Sequence, residues 1–113
     1  VKNIGKVQED EYLVFISFSI PDPSLKSLAE SLNILTSPIT LLMVGLFNNS
    51  FQETAVKIKE LNVPIEINPQ AFEDYHITKV PTFIRLKGGK EVARLSGNVT
   101  LHFAIHKLKG ISK

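Results

Sequence analysis

Apolar residues fall along this chain in two alternating rhythms. Tyr12-Leu-Val-Phe15-Ile-Ser-Phe18-Ser-Ile20 is nearly continuous in apolar, β-branched and aromatic residues, which suits a central strand covered on both faces of a sheet. Leu25, Leu28, Ala29, Leu32 and Leu35 then recur at helical spacing, so a helix follows with one face on that sheet. Asp22-Pro23 gives its start, a carboxylate to cap free N–H groups and a proline at the first helical position. Thr36-Ser37-Pro38 breaks it. Ile39 to Phe47 is a second β-rich run, in which the single Gly45 marks a bulge or a close approach. Ser50 with Glu53 forms a capping box, and the helix behind it would bury Phe51, Ala55, Ile58 and Leu61. Val63-Pro64 ends that helix, Ile65-Glu66-Ile67 is long enough for a short strand only, and Asn68-Pro69 opens a helical turn carrying Phe72 and Tyr75.

Beyond Pro81, Thr82 to Lys87 and Lys90 to Leu95 flank Gly88-Gly89, a dipeptide that accepts the positive φ angles of a two-residue hairpin turn. Gly97-Asn98 closes the second arm, and Leu101, Ile105 and Leu108 set a last amphipathic helix on the sheet. The predicted order is strand, helix, strand, helix, short strand, helical turn, hairpin, helix. That order predicts an α/β domain with a central mixed sheet flanked by helices. Residues 1–12 read as a polar lead-in, and residues 13–113 as one domain.

Composition narrows the chemistry sharply. The 113 residues contain no cysteine, so thiol–disulfide exchange, thiol peroxidase chemistry and cysteine-ligated metal are excluded. No stretch approaches the roughly 18 consecutive apolar residues of a membrane span. The chain opens at Val1 without a basic and apolar leader, which leaves open whether a signal peptide was removed or never existed. The net charge of +2 is unevenly spread: residues 1–78 hold five lysines and ten acidic residues, whereas residues 79–113 hold eight Lys or Arg and only Glu91. Such asymmetry marks an acidic partner or nucleic acid, or else a solvated basic face on the hairpin and terminal helix. No aromatic-interleaved basic motif or Gly-rich loop accompanies it.

Phe72-Glu-Asp-Tyr75-His-Ile77-Thr-Lys-Val80-Pro81-Thr82-Phe83 is an aromatic helical turn, a spacer and a Val-Pro step opening a strand. That pattern resembles the surroundings of the cis-proline in thioredoxin-fold proteins. Only about 5–6% of X-Pro bonds in folded proteins are cis, so the residues alone predict trans at Pro81; the resemblance implies cis. Two further segments, Ser17-Phe-Ser-Ile-Pro-Asp22 and Gly45-Leu-Phe-Asn-Asn-Ser50, make the chain similar to TrbC, the pilin-assembly family of F-type conjugative transfer systems. The similarity runs from about Leu13 to Leu108. One departure is His76, where thioredoxin-like chains usually have glycine; histidine tolerates positive φ better than a branched residue does.

The resemblance implies a thioredoxin-like fold and a non-enzymatic interaction domain in assembly of a conjugative pilus or type IV secretion system. It implies a periplasmic setting, at most peripheral to the membrane, a TraW-like transfer protein as partner, and no nucleic acid, small-molecule substrate or cofactor. Its partner-binding groove would comprise Ser19, Ile20, Pro21, Asp22, Ser24, Lys79, Val80 and Pro81. Ile20, Pro21, Val80 and Pro81 would form a shallow apolar floor, and the backbone of Lys79 and Val80 would pair with an extended segment. Two other classes stand beside this one: a chaperone-like binder of many segments, and a glutathione-related enzyme using a hydroxyl for cysteine. Ser24 or Ser19 would be that hydroxyl, but a serine nucleophile needs an adjacent base and an oxyanion site, and no histidine is near in sequence. His102 and His106 share a helix face at a spacing that can bind metal, without a nearby carboxylate to complete a site. Asn48-Asn49-Ser50 and Asn98-Val99-Thr100 match the glycosylation sequon, and each also has a plain place at a helix start or a loop.

Overall fold

A computed structural model describes residues 10–32 and 38–110. The elements are β1 (Asp10–Ile16), α1 (Asp22–Leu32), β2 (Ile39–Met43), a tight turn at Phe47–Asn49, α2 (Phe51–Leu61), β3 (Ile65–Ile67), α3 (Pro69–Asp74), β4 (Thr82–Lys87), β5 (Lys90–Ser96) and α4 (Leu101–Lys109). The five strands form one sheet in the order β3-β2-β1-β4-β5. β1, β2 and β3 run parallel, while β4 is antiparallel to both β1 and β5. This is the thioredoxin-like arrangement the element order predicts. Leu35 and Thr36-Ser37 lie outside the described residues.

β1 is buried on both sides, and its alternation separates two cores. Tyr12, Val14 and Ile16 join Leu41, Met43 and Phe83 under α1 and α4, which contribute Leu25, Leu28, Ala29, Leu101, Ala104, Ile105 and Leu108. Phe15 faces the opposite side with Leu42, Ile84 and Leu86, where α3 brings Ala71, Phe72 and Tyr75. The Phe15 ring meets Phe72 edge-on at 5.0 Å and Tyr75 at 5.7 Å, contacts worth about 0.5–1.5 kcal/mol each beyond area burial.

The ends of the elements follow their local chemistry. Ser50 accepts from the Glu53 N–H at 3.1 Å, Asn68 from Ala71 at 3.0 Å and Thr100 from Phe103 at 3.1 Å. Only half of the predicted capping box forms, because the Glu53 carboxylate accepts instead from the Asn48 amide at 3.0 Å. α3 ends in a Schellman motif: the Ile77 N–H donates to Phe72 C=O at 2.9 Å and the His76 N–H to Glu73 C=O at 3.1 Å. His76 takes a positive φ there, 54°. Gly88 and Gly89 likewise have φ of 61° and 82°, as a two-residue hairpin turn needs.

Three expectations are corrected. β1 starts at Asp10 and stops at Ile16, and β2 stops at Met43; the apolar residues beyond them are loop. Gly45 marks no close approach, since a Cβ there would meet nothing within 4 Å; the sheet's irregularity lies between Arg85 and Leu86. The inner stripe of α2 is rotated from the predicted one. Thr54 is buried and Lys57, Ile58 and Leu61 are half-buried, whereas Phe51 is 81% exposed and Ala55 is exposed. Thr54 wins the inner position because its hydroxyl donates to Ser50 C=O at 2.6 Å and accepts from the Phe47 N–H at 2.8 Å.

Arg85 is a charged residue within this core. Its guanidinium meets Asp10 at 3.2 Å and donates to Leu108 C=O at 3.2 Å, tying the start of β1 and the end of α4 to β4. Beside it the Tyr12 hydroxyl is buried without a hydrogen-bond partner among the described residues. Burial first, and the Asp10 charge second, push its phenol pKa up, with Arg85 pulling it back. Tyr12→Phe is therefore expected to leave stability unchanged or raise it by up to about 1 kcal/mol, since a desolvated hydroxyl is removed and no bond is lost. Denaturant unfolding checks this, and a clear destabilisation would mean the hydroxyl has a partner.

On the hairpin, Arg94 donates to Glu91 at 2.6 Å and 2.8 Å and to Tyr75 C=O at 2.8 Å. The hydrogen bond from Arg94 holds Glu91 below the usual carboxylate range against its partial burial. A depressed carboxylate stabilises the fold above its unfolded pKa, and that contribution disappears as pH falls through the folded value. NMR titration should find Glu91 protonating below an ordinary glutamate. The acid loss of stability removed by Glu91→Gln should stay under about 1 kcal/mol, because the pair is solvent-screened.

Candidate functional site

The carboxyl end of β1 is where the chain leaves the sheet, and two clefts flank it. The β1–α1 turn is closed locally: Ser17 Oγ lies 3.0 Å from Ser19 Oγ and accepts from the Ser19 N–H at 3.1 Å. Ile20 donates to Ser17 C=O at 3.1 Å. The cap of α1 differs from the sequence reading. Pro21 C=O accepts from Ser24 at 2.9 Å and from Leu25 at 3.1 Å, so Pro21 occupies the cap and Asp22 is the first helical residue. Asp22 instead accepts from Lys57 of α2 at 3.2 Å. A carboxylate at that position also suits the positive end of the helix dipole.

On one side of the turn, Ile20, Ser24, Ser27 and Leu28 face Pro81 and the Asn98–Thr100 segment across a groove of about 120 Å³. The Val80–Pro81 peptide is cis. Thr82 anchors this corner: its hydroxyl donates to Lys79 C=O at 2.7 Å and lies 2.8 Å from Ser96 Oγ. Gly97 donates to Pro81 C=O at 3.1 Å. Of the residues singled out from sequence, Ile20, Ser24 and Pro81 share this groove. Pro21 is exposed at its rim, and Val80 is half-buried against the core. Lys79 is exposed and its carbonyl is already engaged. Asp22 is turned toward α2, and Ser19 borders the other cleft. Asn98, Val99 and Thr100 were not foreseen, because the sequence shows them only as a loop after the hairpin.

The second cleft, about 280 Å³, lies between the ends of β1 and β2 and is lined by Phe18, Ser19, Val44, Leu46 and Phe47 among others. Phe18 and Phe47 stack edge-on at 5.3 Å, and the Lys57 ammonium lies 5.3 Å from the Phe47 ring centre. Asn48 and Asn49 take positive φ of 51° and 53°, which asparagine tolerates better than most residues. These lining residues do have a sequence signal. They are the surplus of two apolar runs that outlast their strands.

Known proteins can now be set beside this geometry. The family model described as type-F conjugative transfer system pilin assembly protein matches residues 14–108. The chain belongs to this family, TrbC. No curated protein matches it. Among solved structures it is similar to the exposed lipoprotein thioredoxin Etrx1 of Streptococcus pneumoniae, with a TM-score of 0.66 and 20% identity over 92% of this chain and 86% of that one. It is also similar to the thioredoxin domain of a thiol-disulfide oxidoreductase from Bacteroides vulgatus, with a TM-score of 0.59 and 17% identity over 89% and 80% of the two chains. StoA of Bacillus subtilis matches with a TM-score of 0.55 and 19% identity over 94% and 84%. At such identities these likenesses establish the thioredoxin fold of this TrbC-family chain.

The chemistry open to the site is limited by its side chains. Without cysteine there is no thiolate to exchange. The groove beside Ser24 is lined by no histidine or carboxylate that would activate a hydroxyl. His102 and His106 are both exposed on α4, and no cluster of three metal-binding side chains occurs among the described residues. Ser50 and Thr100 of the two sequons serve as helix caps. Thr54→Val removes the hydroxyl that accepts from the Phe47 N–H and donates to Ser50 C=O, and is expected to destabilise by about 1–3 kcal/mol and to broaden the NMR signals of Phe18 and Phe47. Unfolding midpoints and ring spectra check it.

Proposed function

We propose that this TrbC-family chain is a non-catalytic interaction domain that holds an extended segment of another conjugative transfer protein, TraW-like, in the periplasm during pilus assembly. The observation that carries this reading is the β1–α1 turn. It occupies the position of the thiol pair in redox-active thioredoxin folds, yet it reads Ser19-Ile20-Pro21-Asp22-Pro23-Ser24, with apolar clefts kept on both sides. A cleft stays open at this position while the thiols are absent. Ile20 and Pro81 supply an apolar floor for that extended segment. No helix among the described residues is long and apolar enough to cross a membrane.

Ser24 and Ser27 line the groove without belonging to the core, so arginine at both blocks it without emptying the interior. Calorimetric titration of a purified TraW-like protein should give at least about tenfold weaker binding to the Ser24→Arg, Ser27→Arg variant. Equal affinity would move the interface elsewhere. Turnover of a glutathione-conjugation substrate, abolished by Ser24→Ala, would overturn the non-catalytic reading.

A further inference from the structure

Helix α4 carries a second stripe beside its buried one. Leu101, Ala104, Ile105 and Leu108 face the sheet. Phe103, His106, Lys107 and Gly110 recur at i, i+3, i+4 and i+7 on the flank and, with Leu95 of β5, line a cleft of about 610 Å³. β5 is an edge strand, and no strand covers its outer side among the described residues. Phe103 is 45% exposed, and Lys107 holds its ammonium 5.7 Å from the centre of that ring. Arg94 also borders the cleft, but its guanidinium is bonded to Glu91 and to Tyr75 C=O. Lys107 is therefore the cation this surface presents, with the His106 imidazole one residue away. No carboxylate lines the cleft, and Glu91 is the only acid from residue 79 onward.

We infer that this cleft takes an extended acidic segment of a protein partner, added as a strand beside Ala93–Ser96 with alternate side chains turned toward α4. An open strand edge offers main-chain pairing, and side-chain pockets at alternate positions give selectivity. The slot fits that ligand on both counts. Leu95 and Phe103 receive an apolar side chain, and Lys107 receives a neighbouring carboxylate. The register shift, with Arg85 opposite Ala93 and Leu86 opposite Glu91, disturbs the first half of β5 and leaves the half beside the cleft regular. A single-stranded nucleic acid needs a run of cations and successive stacking rings, and one lysine and one ring do not make such a track. A bilayer is flat where this surface is concave.

The site is separate from the groove at Pro81. The two share no lining residue: that groove is bordered by Asn98–Thr100, whereas this cleft begins one helical turn later at Phe103 and runs to Gly110. The Ser24→Arg, Ser27→Arg variant and the Lys107→Glu variant therefore test the two readings separately.

The test is NMR titration of the isotope-labelled chain with a peptide of about eight residues alternating glutamate and valine. Its lysine-for-glutamate counterpart, a single-stranded oligonucleotide and anionic phospholipid vesicles are titrated in parallel. Amide shifts are expected at Ala93–Ser96 and along α4 from Phe103 to Gly110, with the acidic peptide alone. Lys107→Glu should weaken that binding at least about tenfold, and Phe103→Ala should also weaken it. Both side chains are exposed, so unchanged spectra elsewhere would verify the fold. Equal binding of the lysine peptide, unchanged affinity in Lys107→Glu, shifts confined to other surfaces, or the same shifts with oligonucleotide or vesicles would overturn the inference.

Discussion

The two-sided burial of β1 is the constraint on which the rest of this molecule depends. A strand covered on both faces cannot slip by one residue without exchanging every contact on both. Tyr12, Val14 and Ile16 are committed to α1 and α4, and Phe15 to α3. That double commitment fixes the register of β2 and β4 against it, and with them the point at which the chain must leave the sheet. The turn after Ile16, the start of α1 and the Val80–Pro81 corner meet there because their strands are neighbours in this order. The candidate surface at that corner is thus a by-product of the core's geometry.

Keeping that geometry without thiols separates two things that redox-active relatives of the fold combine. In those proteins the amino end of the helix after the first core strand lowers the pKa of a thiolate. Here the same helix end is closed by a proline carbonyl, and its first side chain is bonded to Lys57. That helix end here carries an ion pair joining α1 to α2.

What could be read from the sequence follows which forces are local. Caps at Ser50 and Asn68 and the Gly88-Gly89 turn are short-range stereochemistry, and the residues declare them. The heptad-like stripes of α1 and α4 declare themselves through burial. The stripe of α2 misled because its inward residue is a threonine chosen for its hydrogen bonds, which a hydrophobic pattern does not register. The strand ends misled for a related reason. Phe18, Val44 and Phe47 are apolar because they line a surface cleft, and apolarity alone does not say whether a residue faces a core or a partner. Of the candidate groove, Ile20, Ser24 and Pro81 converge, while Asp22 is drawn away by an ion pair thirty-five residues distant in sequence that no local pattern encodes.

The light anchoring of α2 has a consequence for how such a chain can change. Thr54 is its one buried residue, and Phe51, Ala55, Val56 and Lys59 look outward. Substitutions at exposed positions away from caps and core usually alter stability by no more than about half a kcal/mol. The fold therefore exerts almost no selection on that face. Its composition can vary at little cost to the sheet and core.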